Sequence, residues 1–138
     1  MTLLPKTWPE VREAWGWVRN GLLDVIAETK ERWLPEEVFA ALQAGTAHLF
    51  ALDKDGDEVG FVILRRLLDP DGPVLFVWCL WSEPGAVIVQ WRELRDHLRD
   101  MALRMGAKRM RFESPRKGYQ FFHEFEPVKT IYELEITP

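Results

Sequence analysis

The stretch VLFVWCLWSEPGAVIVQWRELRDHLRDMALRMGAKRMRFE, residues 74–113, carries the pattern on which the fold turns. Its opening run VLFVWCLW, 74–81, is apolar without alternation, the mark of a strand covered on both faces and therefore internal to a sheet. Gly85 and Ala86 then open a long helix in which Val87, Trp91, Leu94, Leu98, Met101 and Met105 keep to one face until Gly106 closes it. KRMRFE, 108–113, alternates as a half-buried strand. Strand, long amphipathic helix and strand in succession predict an α/β domain, a mixed sheet with helices packed on it.

Upstream, Thr7 and Glu10 have the spacing of a capping box, with Pro9 in the first turn where its missing N–H is harmless. One helix is predicted from there, with Trp8, Val11, Trp15, Val18, Leu22 and Val25 as its apolar stripe; Gly16 and Gly21 weaken it, so packing has to hold it. After a polar break at 28–32, Pro35 and Gly45 bracket a short second helix that buries Val38, Ala41 and Leu42. AHLFALDKDGDEVGFVILRR, 47–66, reads as a hairpin turning at Asp55 and Gly56, and DPDGP, 69–73, as a second turn. Downstream, SPRKGYQFFHEF, 114–125, begins with a Ser114 cap and predicts a short helix, and VKTIYELEI, 128–136, a final strand near an edge.

The 138 residues are 47% apolar and 29% charged, the range of a globular chain with one core, and no repeat or low-complexity tract divides them, so a single domain over 1–138 is predicted. No run approaches the ~20 apolar residues of a spanning helix, and 1–6 lacks the apolar core of a secretory leader. Cys79 is the only cysteine, which excludes an internal disulfide and a cysteine zinc site and points to the cytoplasm. The net charge of −4 is uneven: 92–117 holds nine basic and four acidic residues. That excess is read as a solvated helix face plus the polar side of a strand; no interleaved aromatics argue for nucleic acid.

Several motifs are set aside on chemistry. In DKDGDEVG the glycine falls at the fourth position of a calcium loop rather than the sixth, and Leu64 stands where a bidentate glutamate is required. His48, His97 and His123 lie on three elements without a second ligand at metal spacing, so no metal is predicted. Ser82 and Ser114 lack a glycine elbow, and Cys79 sits mid-strand in apolar company that disarms its thiol. Trp33, Trp78 and Trp81 come near element ends, where they either line a cleft or fill the core.

The whole order, from about Trp8 to Ile136, resembles the GNAT superfamily of N-acyltransferases. ALRMGAKRMRFESPRKGYQFFHEFEPVKTIYELEI, 102–136, carries the best local match, with Phe125-Glu126-Pro127-Val128 leading into the last strand. The run Arg116-Lys117-Gly118-Tyr119 is similar to GNAT-like proteins of bacteriophages and prophages. The resemblance implies a mainly antiparallel sheet with one central parallel strand pair, formed by 74–81 and 108–113, and helices on both faces. It implies acetyl-CoA or another acyl-CoA as co-substrate, with the thioester along Leu80 and Trp81 and the diphosphate near Ser82, Gly85 and Ala86. It also implies Tyr119 as proton donor to the departing thiolate, Glu113 or Glu83 as base, and an amine on a small molecule or protein as acceptor, placed by the hairpin and 28–33.

At the diphosphate loop the sequence departs from the family pattern of a basic residue or glutamine, two others, glycine, any residue, then glycine or alanine. Trp81-Ser82-Glu83-Pro84-Gly85-Ala86 keeps only its last two positions. Pro84 removes a donor, and the charge of Glu83 beside a diphosphate costs from about 1 kcal/mol in water to several when partly buried. Tyr119 also falls one residue from the family's tyrosine, where an ungapped alignment puts Gln120. Two functions stay open: an acyl-CoA-dependent N-acyltransferase, and a GNAT-fold binding or regulatory module without catalysis, encoded by a phage or prophage.

Overall fold

The computed structural model of the chain describes residues 1–84, 86, 91–113, 125 and 132–136. Among them five strands form one sheet in the order β1 (Thr2–Pro5), β2 (Ala47–Lys54), β3 (Asp57–Asp69), β4 (Gly72–Ser82) and β5 (Arg109–Arg111). The first three pairings are antiparallel and β4 with β5 is parallel, as a mixed sheet with one crossover requires. That crossover contains α4 (Trp91–Arg104); the stretch 87–90, where the helix was predicted to begin, lies outside the described residues.

Alternation along β3 explains both layers. Phe61 and Ile63 face a cluster with Val11, Val18, Leu22, Val38 and Leu42, which belong to α1 (Trp8–Glu13), α2 (Trp15–Thr29) and α3 (Pro35–Ala44). Val62 and Leu64 face the other way, onto Leu94, Leu98 and Ala102 of α4. A strand apolar on both sides sits between two helical layers, and the internal position of β4 follows from the same rule.

The capping box at Thr7 and Glu10 forms. The single helix expected after it is two: Ala14 leaves helical geometry (φ −90°, ψ 5°), although Val18 N–H still donates to Ala14 O at 3.0 Å. The hairpin closes on Asp55 and Gly56 with φ of 53° and 90°, the paired left-handed residues of a type I′ turn. The strand β1 was not expected; four residues cannot display an alternation, and this one is held by backbone pairing from Thr2–Asp53 to Pro5–Phe50. Of the final strand, 132–136 are described and carry no strand, with exposed side chains, whereas 128–131 and most of the short helix at 114–125 lie outside the described residues.

Gly21 has a packing reason that its helix position conceals. A Cβ there would lie 2.7 Å from the Phe61 ring and 2.8 Å from the Trp81 ring, so only glycine lets α2 rest on β3 and β4 at this depth. In an exposed helix interior Gly→Ala gains about 0.5–1 kcal/mol. Gly21→Ala is instead expected to lose about 1–3 kcal/mol through overpacking, read from urea denaturation; a gain would show that the contact yields freely.

Candidate functional site

The parallel pair lasts only three residues. Val74, Leu75 and Phe76 pair with Arg109, Met110 and Arg111, after which, among the described residues, β4 runs on to Ser82 against β3 alone. Just past the parting point β4 carries an irregularity: Leu64 pairs with Val77 and Ile63 with Cys79, which leaves Trp78 as the extra residue. A bulge bends and twists its strand, and here it falls where β4 leaves β5. The edge of β4 from Val77 to Ser82 therefore has no strand neighbour on its β5 side among the described residues. Backbone N–H and C=O groups on such an edge need partners, which an extended chain with amides of its own supplies.

Side chains of this segment brace it from the α2 side. Trp81 packs on Phe61 and Trp17, with ring centroids 5.5 and 5.6 Å away, and donates from Nε1 to Asp24 Oδ2 at 3.2 Å. Gly60 allows the tight end of this pairing, since a Cβ there would stand 2.3 Å from Trp81 O. Trp78 lies 6.0 Å from Trp33 and carries the Arg65 guanidinium 4.7 Å above its ring. Of the three tryptophans read as cleft or core, each is partly buried and packed against the helical cluster. Between Trp78 and Leu80, Cys79 is buried, and desolvation first, then the charge of Glu31, pushes its thiol up to about 12.

Glu31, in the link between α2 and α3, belongs to the stretch 28–33 that the resemblance assigns to the acceptor, but was not singled out within it. Burial foremost, and the nearby Glu113 carboxylate second, raise its pKa above the ordinary carboxylate value. The charge of Glu113, just past β5, acts on Glu31, and that of Glu31 acts on Cys79 of β4. The same link is tied to the C-terminal segment by Arg32, which donates to Glu133 at 2.5 Å. From the residues alone the signal was a polar break between two helices.

Of the other residues named from sequence, Leu80, Trp81 and Ser82 lie on the diverging end of β4 and Glu113 is exposed beyond β5. Gly85 and Tyr119 fall outside the described residues. The turn at Ala86 is closed from within: Ala86 N–H donates to Glu83 O at 3.1 Å, and Glu83 N–H donates to Val59 O at 2.8 Å. Three of the nine basic residues of 92–117 are matched locally: Arg111 donates to Asp69 at 2.6 Å, Arg109 binds Asp71 and Asp69, and Arg95 binds Asp96. Among the described residues no group of three His, Cys, Asp or Glu side chains is placed to hold a metal, and no helix is long and apolar enough to cross a membrane. An open groove of about 550 Å³ lies on the α4 side between Leu3, Phe50, Leu75 and Met101, away from Glu31.

Neither the models of known protein families nor the curated proteins match this sequence. Solved structures do match its fold. The chain is similar to a ribosomal-protein-alanine N-acetyltransferase from Brucella melitensis biovar Abortus 2308, at 17% identity, 99% coverage of each chain and a TM-score of 0.69. A predicted acetyltransferase with acetyl-CoA from Clostridium acetobutylicum superposes with a TM-score of 0.71 at 9% identity, covering 97% of this chain and 95% of that one. An aminoglycoside N-acetyltransferase in complex with CoA gives a TM-score of 0.65 at 18% identity over 99% of both chains. The chain has the GNAT fold, and among the described residues β4 and β5 form the parallel pair of its sheet.

Because the folded chain favours protonated Glu31, it binds that proton to higher pH than the unfolded chain does, and stability falls as pH rises through the raised value. Glu31→Gln, which carries no charge, is expected to melt at a higher temperature than the parent at neutral pH. The difference should vanish below about pH 4, where the carboxyl is protonated in both states. A difference that does not vary with pH would remove Glu31 from this setting.

Proposed function

We propose that the chain is an N-acyltransferase that moves an acyl group from a thioester to an amine. The observation that carries this reading is the parting of β4 from β5 after Phe76, with the Trp78 bulge at the fork. An acylated pantetheine arm is an extended chain with two amides, and the backbone of Leu80, Trp81 and Ser82 is the edge that would pair with them. The solved neighbours with acetyl-CoA and CoA share this fold, which supports a thioester donor without naming it.

In the reaction the amine nitrogen attacks the thioester carbonyl, a tetrahedral centre forms and collapses, the C–S bond breaks and the thiol leaves as an amide is made. Glu31 is the proposed base that takes the amine proton: a carboxylate with a raised pKa accepts a proton better than an ordinary one. Burial foremost and Glu113 second keep that value raised, and the two carboxylates favour an acceptor that arrives as an ammonium ion, whose first proton passes to Glu31 to free the lone pair and whose second leaves the tetrahedral centre as the thiol is protonated. Tyr119 keeps its role as proton donor to the thiolate on sequence grounds. Direct transfer is favoured over a covalent enzyme, because the Cys79 thiol is buried and held far from its thiolate at neutral pH.

Thiol release from acetyl-CoA and from acetyl-pantetheine, followed across a panel of primary amines and polyamines, tests the reading. Glu31→Gln is expected to lower kcat by about 10²–10⁴-fold, while Cys79→Ala leaves it within threefold. Bound donor should also raise the melting temperature, since a ligand that binds only the folded chain stabilises it. If neither thioester releases thiol or shifts the melt at millimolar concentration, the chain is a GNAT-fold binding module and the transferase reading falls.

A further inference from the structure

We infer that the groove on the α4 side is a binding site for a free medium-chain aliphatic carboxylate. None of 77–82 lines it, so it is separate from the open edge of β4 and does not rest on the transferase reading. Every residue that lines it is described, and its volume of about 550 Å³ falls within the ~300–1,000 Å³ of small-molecule sites. Its floor follows from strand alternation: Phe50 of β2, Leu64 and Arg66 of β3 and Leu75 of β4 share the α4 face, which α4 covers only in part. Leu3, Phe50, Met101 and Met105 are left partly exposed there. Methionine adapts its shape to an apolar guest.

Two arginines give this apolar floor a charged end. Arg66 lies opposite Leu75 in the register, and Arg104 ends α4 beside Met105, so both belong to the end of the groove lined by Leu75 and Met105. Each is exposed, and among the described residues neither makes a hydrogen bond, ion pair or ring contact. The other ionisable residues at the groove are placed differently. Arg65 carries its guanidinium 4.7 Å above the Trp78 ring, which packs with the α2 layer. His97 is engaged through Nε2 with Met1 O at 3.0 Å, His48 is exposed on β2, and Asp100 stands one turn of α4 before Arg104.

Charge and reach together name the occupant. Arg66 and Arg104 against Asp100 leave a surplus of one positive charge, in a chain whose net charge is −4. That surplus matches a monoanion and falls short of the two charges of a phosphate monoester, and the planar guanidinium fork suits a carboxylate. From Arg66 on β3 to Leu3 on β1 the sheet takes two interstrand steps, about 10 Å, the reach of a medium-length alkyl chain laid over Phe50. The carboxylate end would meet the two arginines, and the chain would cover the apolar surface that α4 leaves open.

Calorimetry and thermal melting with decanoate, kept below its micellar concentration, test the inference. Decanoate is expected to bind once per chain and to raise the melting temperature. It should bind at least tenfold more tightly than hexanoate, which covers less of the floor, and than decan-1-ol, which lacks the anion. Arg66→Gln with Arg104→Gln, at two exposed positions, should leave the melting of the free protein unchanged, weaken decanoate tenfold or more and leave decan-1-ol alone. Decanoate that binds no better than decan-1-ol, that ignores the double substitution, or that fails to bind at millimolar concentration would overturn the inference. Decyl phosphate bound tenfold more tightly than decanoate would overturn the choice of a carboxylate. A dimer in sedimentation that the double substitution dissociates and decanoate does not would assign the groove to a second copy of the chain, and the inference would fall.

Discussion

Everything at the proposed site depends on how briefly β4 and β5 keep company. Three paired residues are enough to fix the two strands in one direction, and the bulge at Trp78 then turns β4 aside before a fourth pair can form. On the other flank, Arg111 ends β5 with its guanidinium held by Asp69, at the far end of β3. One strand is thus anchored at the point where the other begins to bend. An uncovered stretch of strand inside a sheet is normally a liability; here it lies between the α2 and α4 layers, and under the proposed function it is the edge that an extended donor would pair with.

The helical layer on the α2 side is adapted to that opening. Trp17, Phe61 and Trp81 pack edge to face or tilted around Gly21, so the bent end of β4 is stiff even though it lacks a strand beside it. Glu31 arrives from the next link in the chain, and Arg32 beside it reaches the C-terminal segment. If Glu31 takes the proposed proton, the site divides into an acceptor and a rigid aromatic floor, an arrangement in which position matters more than covalent chemistry.

How much of this the sequence disclosed follows from the range of each interaction. The run 74–81 and the long amphipathic helix were legible because burial on two faces or on one leaves a periodic trace within the segment. So were the turns at Asp55-Gly56 and at 69–73, which local chemistry dictates. The strand β1 left no trace, being short and held by its neighbour's backbone. The break at Ala14 was hidden by a stripe that continues across it. The raised pKa of Glu31 was invisible for another reason: it comes first from a burial that only the folded chain creates and second from Glu113, 82 positions further along. Trp81 was read as a contact for the donor, yet its ring is turned toward Asp24 and α2, which leaves its main chain for that purpose.

The seclusion of Cys79 has a practical side. As the chain's single thiol, 3% exposed and unwilling to ionise, it is a poor target for alkylating reagents and for oxidative cross-linking between molecules. The unaltered protein is consequently a ready background for site-directed labelling: one cysteine introduced on the surface can carry a fluorophore or spin probe while the native one stays silent. Storage without reductant should likewise produce no disulfide-linked pairs.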